Sequence, residues 1–103
     1  MKPTPETMID LVCRHTGINR EQLQAREKGE QVDLARQILM YLMRYDALPP
    51  LPYPKIGILL GGRGDQAVRH GIEKIETALA HGNAYVKETI RLVRSYYKEE
   101  DKP

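Results

Sequence analysis

The sequence predicts an all-α fold of about six helices, on two observations. Apolar side chains recur every three or four residues along most of the chain, which is the spacing of one helix face. Alternating apolar and polar runs bounded by turn residues do not occur, so no strand is predicted. The 103 residues are enough for one domain with its own core, expected over residues 1–98, followed by a disordered tail at 99–103.

The first half of the chain contains three predicted helices. Thr4 is a suitable N-cap, with Pro5 at the first helical position. Asn19 begins a short second helix, because Gln22 three residues later completes a capping-box pattern. The third helix is the longest, and Asp33 is its expected cap. Its apolar stripe consists of Leu34, Ile38, Tyr41, Leu42 and Tyr45.

The second half of the chain follows a proline-rich run at 48–54, which is expected to end the third helix. A short apolar helix over 55–60 comes next and is closed by a Gly-Gly pair. Another helix is expected to start at Gly64 or Asp65, and Asn83 caps the last one. The expected buried positions of these two helices are Val68, Ile72, Ile75 and Leu79, then Val86, Ile90, Val93 and Tyr97.

The composition argues against several classes of function. No apolar stretch has the length of a signal peptide or a membrane span, and Cys13 alone cannot form an internal disulfide, so the cytoplasm is the default location. The chain has no GxxxxGK[ST] phosphate loop, and its three histidines lack metal-ligand spacing. We therefore expect a protein that is not an enzyme, with no catalytic residue, metal, cofactor, bound nucleotide or membrane partner.

The charge distribution favours the middle of the chain as a site. The net charge is +2, and the whole excess lies within residues 31–70. That stretch has five basic side chains against three acidic ones: Arg36, Arg44, Lys55, Arg63 and Arg69 against Asp33, Asp46 and Asp65. A local excess of this size supports an interaction with an anionic partner without establishing one.

The segment 52–72 has the pattern of a helix-turn-helix: a short helix, a glycine turn and a longer helix. In such motifs the start of the second helix enters the DNA major groove, and Lys55 is suitably placed for a phosphate. Two helices packed in a bundle, with a solvated polar first turn, explain the pattern equally well. The polar residues at the start of the second helix are Arg63, Asp65, Gln66, Arg69 and His70.

Two motifs resemble those of a known family. The run IGILLGGRGDQAVRHGIEKIE is similar to the signature of the C-terminal DNA-binding domain of DnaA, the bacterial replication initiator, whose pattern is close to IGxxFGGRDHTTVxHAxxKI. Upstream, VDLARQILMYLMR resembles that family's VxxxRQxAMYLxR helix, and the match extends from about Met8 to Leu79. The resemblance implies a six-helix, all-α, Trp-repressor-like fold with a helix-turn-helix.

The resemblance also implies roles for individual residues. Lys28 matches the basic residue whose side chain enters the minor groove, and Arg44 matches a phosphate contact. Arg36 retains the Arg of the RQ pair, and Arg63 retains the Arg of GGR. His70 matches a histidine that contacts the DNA backbone.

Departures from the family pattern imply an altered base preference. The residues at the family's base-reading Asp-His-Thr-Thr are Gly64, Asp65, Gln66 and Ala67. Gln66 suits adenine, whereas Asp65 suits either cytosine or an N-cap role, which is slightly favoured. The family's Leu-Pro pair before IG becomes Tyr53-Pro54, and Pro54 is included in the candidate interface.

Two functional hypotheses follow. The first is sequence-specific binding of double-stranded DNA, related to replication-origin recognition or its regulation, which would place the protein at the nucleoid. The second is a helical adaptor on the same scaffold that binds a replication or regulatory protein. A basic stripe on the last helix either extends a nucleic-acid footprint or, more commonly, is a solvated face. Its members are Lys87, Arg91, Arg94 and Lys98.

Overall fold

The computed structural model describes residues 3–26 and 29–98, and within them the backbone forms six α-helices and no strand. The all-α prediction is therefore confirmed. The predicted tail at 99–103 lies outside the described residues. The helices are α1 (Pro5–Thr16), α2 (Arg20–Gln24), α3 (Glu30–Tyr45), α4 (Tyr53–Leu59), α5 (Asp65–Ala80) and α6 (Ala84–Tyr97).

Local sequence signals explain where three of the helices begin. The Thr4 hydroxyl accepts a hydrogen bond from the Thr7 N–H at 3.2 Å at the start of α1. The Asn19 side chain and Gln22 form the expected reciprocal capping box of α2. At α6, the Asn83 side chain accepts from a backbone N–H of the first turn. Each of these caps satisfies backbone N–H groups that have no partner inside the helix.

The predicted start and stripe of α3 need two corrections. The N-cap is Gly29, and Asp33 lies inside the first turns, where its carboxylate pairs with Arg36 at 2.8 Å. The sequence predicts Tyr45 in the buried stripe, but this residue is 52% exposed. Its hydroxyl donates to the Glu76 carboxylate at 2.6 Å, so a polar partner outside the core determines its position.

Helix α3 is the centre of the fold, because it packs against each of the other five helices. Its contact with α5 is close at Gly71, where a Cβ atom would collide with the sulfur of Met40. The predicted core positions Val68, Ile72 and Ile75 of α5 are buried, whereas Leu79 is half-buried at the core's edge. The largest fully buried side chains include Met8, Ile9, Leu23, Ile38, Leu39, Leu42, Met43, Ile56, Leu60 and Ile75.

A buried carboxylate joins the end of α3 to α6. Asp46 accepts two hydrogen bonds from the Arg94 guanidinium, at 2.7 and 3.0 Å, and one from the Tyr97 hydroxyl at 2.5 Å. The Lys98 ammonium lies 3.6 Å from the same carboxylate. Burial alone raises the pKa of Asp46, but the hydrogen bonds and positive charges around it outweigh burial and lower that pKa below its ordinary value. Arg94 is therefore half-buried in an ion pair, not part of a solvated stripe.

Candidate nucleic-acid interface

Helix α4, a tight turn and α5 form the predicted helix-turn-helix. The Gly57 carbonyl accepts hydrogen bonds from the N–H groups of Gly62 and Arg63, both at 2.9 Å, which closes the turn. A Cβ atom on Gly57 would overlap the carbonyl oxygen of Arg63. Gly61 and Gly62 adopt φ values of 90° and 79°, which favour glycine. The glycines therefore fix the angle at which α5 leaves the turn.

The turn is also attached to the end of α2. A Cβ atom on Gly61 would collide with the carbonyl of Gln24, so the two backbones approach more closely than any other residue allows. The Gln24 side-chain amide donates to the Leu59 carbonyl at 3.1 Å. These contacts hold the turn against a second element and limit its movement.

Arg36 lies inside the protein, although the resemblance places it among the candidate DNA contacts. The residue is 3% exposed. Its guanidinium donates to backbone carbonyls at the end of α2 and to one carboxylate on its own helix. The partners are Leu23 at 2.9 Å, Gln22 at 2.7 Å, Ala25 at 2.9 Å and Asp33 at 2.8 Å. This guanidinium caps the end of α2 and has a structural role, so Arg36 is not part of the proposed interface.

Arg63 also donates inward. One of its nitrogens contacts the Leu60 carbonyl, and another donates to the Ala25 carbonyl at 2.9 Å. Burial lowers the pKa of the Arg63 guanidinium, and the positive charge of Arg36 lowers it further. Arg63 therefore joins the turn to α2 and positions the start of α5.

The first turns of α5 present their side chains to solvent. The N-cap of α5 is Gly64, so the expectation that Asp65 caps this helix is wrong. The carboxylate of Asp65 therefore has no capping role. Within the described residues, the side chains of Asp65, Gln66, Arg69 and His70 make no hydrogen bond or ion pair. The exposed candidates in this region are Gly64, Asp65, Gln66, Ala67, Arg69 and His70.

A second group of candidates lies where α3 ends and α4 begins. The guanidinium carbon of Arg44 is 4.7 Å from the centroid of the Tyr53 ring, and that of Arg69 is 5.3 Å from it. Pro54 and Lys55 follow Tyr53 in the first turn of α4, and both are exposed. Helices α3 and α5 thus bring two guanidinium groups to one aromatic ring of α4. Lys28, the predicted minor-groove residue, lies outside the described residues.

Sequence reasoning missed three residues beside these candidates. Gln37 and Lys74 line a cavity of about 220 Å³ between α3 and α5, together with Ala67 and His70. The signal for Lys74 is its spacing of four from His70, which places both on one face of a helix. Tyr53 has no such signal, because its arginine neighbours are far away in sequence.

The described residues contain no cluster of three or more His, Cys, Asp or Glu side chains able to hold a metal ion. None of the helices found in residues 3–26 and 29–98 is long and apolar enough to cross a bilayer.

Residues 5–75 match the family model described as the bacterial dnaA protein helix-turn-helix. Curated relatives carry the name chromosomal replication initiator protein DnaA. The one from Chloroflexus aggregans is 43% identical over 70 residues, or 68% of this chain and 14% of the relative. The one from Thermomicrobium roseum is 37% identical over 76 residues, or 74% of this chain and 16% of the relative. The one from Rhizobium johnstonii is 30% identical over 94 residues, or 91% of this chain and 19% of the relative.

The chain thus spans less than one fifth of the length of these relatives. The matched region contains α1 to α4 and most of α5, including the glycine turn. The chain therefore belongs to the bacterial DnaA helix-turn-helix family, whose domains bind DNA.

Proposed function

We propose that this protein binds double-stranded DNA in a sequence-dependent way, with the first turns of α5 in the major groove. One observation carries the proposal: the polar side chains at the start of α5 are exposed, while the turn before them is attached to the end of α2. A recognition helix needs both properties, because base edges are read only by free side chains held at a fixed angle.

The base preference would differ from that of the family pattern. The Gln66 amide can donate to N6 and accept at N7 of adenine. The carboxylate of Asp65 is not used as a cap, so it is available to accept a hydrogen bond from cytosine N4. Gly64 and Ala67 have no polar side-chain atoms and allow the groove edge to approach closely.

Phosphate contacts would come from the cations around this helix. Arg44 and Arg69 are candidates because both lie at the Tyr53 ring, and Lys55 is a candidate because it is exposed in the first turn of α4. Lys74 is a further candidate, since it lies one turn beyond His70 on α5. Lys28 remains a proposed minor-groove contact on the family resemblance alone. With about three or four phosphates neutralised, log K should fall with log salt concentration at a slope of about −3 to −4.

The biological role we propose is replication-origin recognition or its regulation. This proposal rests on the curated relatives, which are named chromosomal replication initiator proteins. The chain matches only a small part of them, so the proposal concerns the DNA-binding step and no other activity of those proteins.

A helical adaptor that binds a protein is the second candidate. It is favoured by two exposed aliphatic side chains, Ile58 in α4 at 72% exposure and Leu48 in the segment before α4 at 77% exposure. Apolar side chains with this exposure are typical of protein contact surfaces when they form a patch. Ile58→Lys should abolish partner binding under this hypothesis and leave duplex binding intact under the first.

Selection from a random duplex library, followed by a salt titration of the best sequence, tests the leading proposal. We expect one enriched sequence whose affinity exceeds that of an unrelated duplex by about 10³-fold or more. The same selection with Gln66→Ala should enrich sequences that differ at one base pair. An unenriched library with equally weak binding of all duplexes would contradict the proposal and favour the adaptor.

A further inference from the structure

Tyr53 holds two arginines that come from different helices. Arg44 is in the last turn of α3 and Arg69 is in the second turn of α5, and both guanidinium carbons lie within 6 Å of the Tyr53 ring centroid. The ring itself is half-buried and packs against the hydrophobic core. An aromatic face attracts a guanidinium through its quadrupole, so the ring provides a fixed support for two long side chains.

The two guanidiniums retain unused donors. Arg44 makes one hydrogen bond among the described residues, from one nitrogen to the Leu51 carbonyl at 3.2 Å. Arg69 makes none among them, and no carboxylate of the described residues pairs with either side chain. Since a guanidinium has five N–H donors in a fixed plane, most of them remain available to an external acceptor.

Two like charges held at one ring repel each other, and an anion between them would remove that repulsion. Arginine donors suit phosphate oxygens, which accept paired hydrogen bonds in the plane of the guanidinium. The nearby cation Lys55 and the exposed start of α5 place this pair beside the proposed DNA surface.

We propose that Arg44, Tyr53 and Arg69 form one binding site for a phosphate group, with Tyr53 as the positioning residue. In the complex, that group is a single DNA phosphate contacted by both arginines. The inference rests on the proposed function for the identity of the ligand as DNA, but the phosphate site itself does not depend on it.

Duplex binding tests the positioning role. Tyr53→Leu should weaken binding about 3- to 10-fold on all duplexes alike, whereas Tyr53→Phe, which keeps the aromatic face, should stay within about twofold of the wild type. Tyr85→Leu, at a 51% exposed tyrosine on α6, is the matched control and should have no effect. Equal affinities of the Leu and Phe variants would overturn the positioning role.

The number of phosphates follows from the salt slope. If both arginines contact one phosphate, the variant that combines Arg44→Ala with Arg69→Ala should reduce the slope by about one. A reduction of about two would show two separate phosphate contacts and overturn the single site.

A titration without DNA separates this inference from the proposed function. The Nε–Hε resonances of Arg44 and Arg69 are followed by nuclear magnetic resonance as inorganic phosphate is added, with sodium chloride at equal ionic strength as the control. We expect both resonances to shift with one apparent Kd in the wild type and in Tyr53→Phe, and the response to be weaker in Tyr53→Leu. A response no larger than that to chloride would overturn the site. Phosphate binding in a protein that binds no duplex would instead contradict the proposed function alone.

Discussion

The guanidinium groups of Arg36 and Arg63 converge on one acceptor, the carbonyl oxygen of Ala25, each at 2.9 Å. Arg36 comes from α3 and Arg63 from the turn before α5, so a single backbone oxygen at the end of α2 connects three elements. Arg36 is 3% exposed, and its other hydrogen bonds to backbone also go to the end of α2. These two arginines are therefore part of the framework that positions α5.

Truncation of Arg36 should destabilise the fold. Arg36→Ala removes the donor of the buried Leu23 carbonyl, takes one of two donors from the Gln22 and Ala25 carbonyls, and breaks the pair with Asp33, so we expect a loss of about 3 kcal/mol in the free energy of unfolding. Urea denaturation measures this loss. Arg14→Ala, an exposed arginine on α1, is the matched control and should change stability by less than about 0.5 kcal/mol. Full stability with lost duplex affinity would instead make Arg36 a DNA contact.

Substitution of Gly57 should show that this position needs glycine because a Cβ atom does not fit there. A Cβ atom at Gly57 overlaps the backbone carbonyl of Arg63, so Gly57→Ala should cost about 2–3 kcal/mol because the turn must open. At Gly64 a Cβ atom would meet no other atom within 4 Å and φ is −79°, so Gly64→Ala should cost less than about 1 kcal/mol, which is the loss expected from alanine at an N-cap. Thermal unfolding of both variants checks this, and equal losses would refute the steric argument.

Acid should destabilise the protein through Asp46. Its pKa is lower in the folded chain than in the unfolded one, so its contribution to stability is present above the unfolded value of about 3.9 and is lost as pH falls through the folded value. Asp46→Asn should therefore be less stable at pH 7 and lose less stability between about pH 5 and pH 2. Urea midpoints over this pH range measure the difference. Asp65→Asn, at an exposed carboxylate, is the control, and an identical acid profile for wild type and Asp46→Asn would contradict the prediction.

Gln66→Ala should change recognition without changing the fold. The loss of a paired contact with adenine should cost about 1–3 kcal/mol on the preferred duplex and relax preference at one base pair. Helix stability should hardly change, because Gln and Ala both favour helices. Gln31→Ala, an exposed glutamine near α1 and α6, is the matched control. Equal affinity of wild type and Gln66→Ala for every duplex would exclude a base contact by Gln66.

The helices are predictable from the sequence because their signals are local. Thr4 and the Asn19–Gln22 pair act within one turn of the helices they cap, so spacing alone identifies them. The role of Arg36 is not predictable in this way, since its carbonyl partners lie more than ten residues away and belong to another helix. For the same reason, the contacts of Tyr53 with Arg44 and Arg69 cannot be predicted from the sequence.

Asp65 shows a second limit of prediction from sequence, which concerns the exact residue at which a helix begins. The sequence places a helix start at 64 or 65, and a carboxylate there is a good cap, yet the helix begins one residue earlier in the turn than a capping Asp65 requires. A shift of one residue changes a capping group into an exposed acceptor. Side-chain roles at a helix start therefore depend on a boundary that sequence patterns define only to within a residue or two.

Under the proposed function, the shared acceptor at Ala25 would also set a spacing on the DNA. The segment that contains Lys28 follows α2 directly after Ala25, and α5 begins two residues after Arg63, so both departure points are fixed to the same oxygen. An arm in the minor groove and a helix in the major groove would then be held at one separation. One inserted base pair moves the second contact by about 3.4 Å along the duplex and about 35° around it, given about 10 base pairs per turn. The target would therefore be a contiguous sequence of fixed length, not two elements with a variable gap.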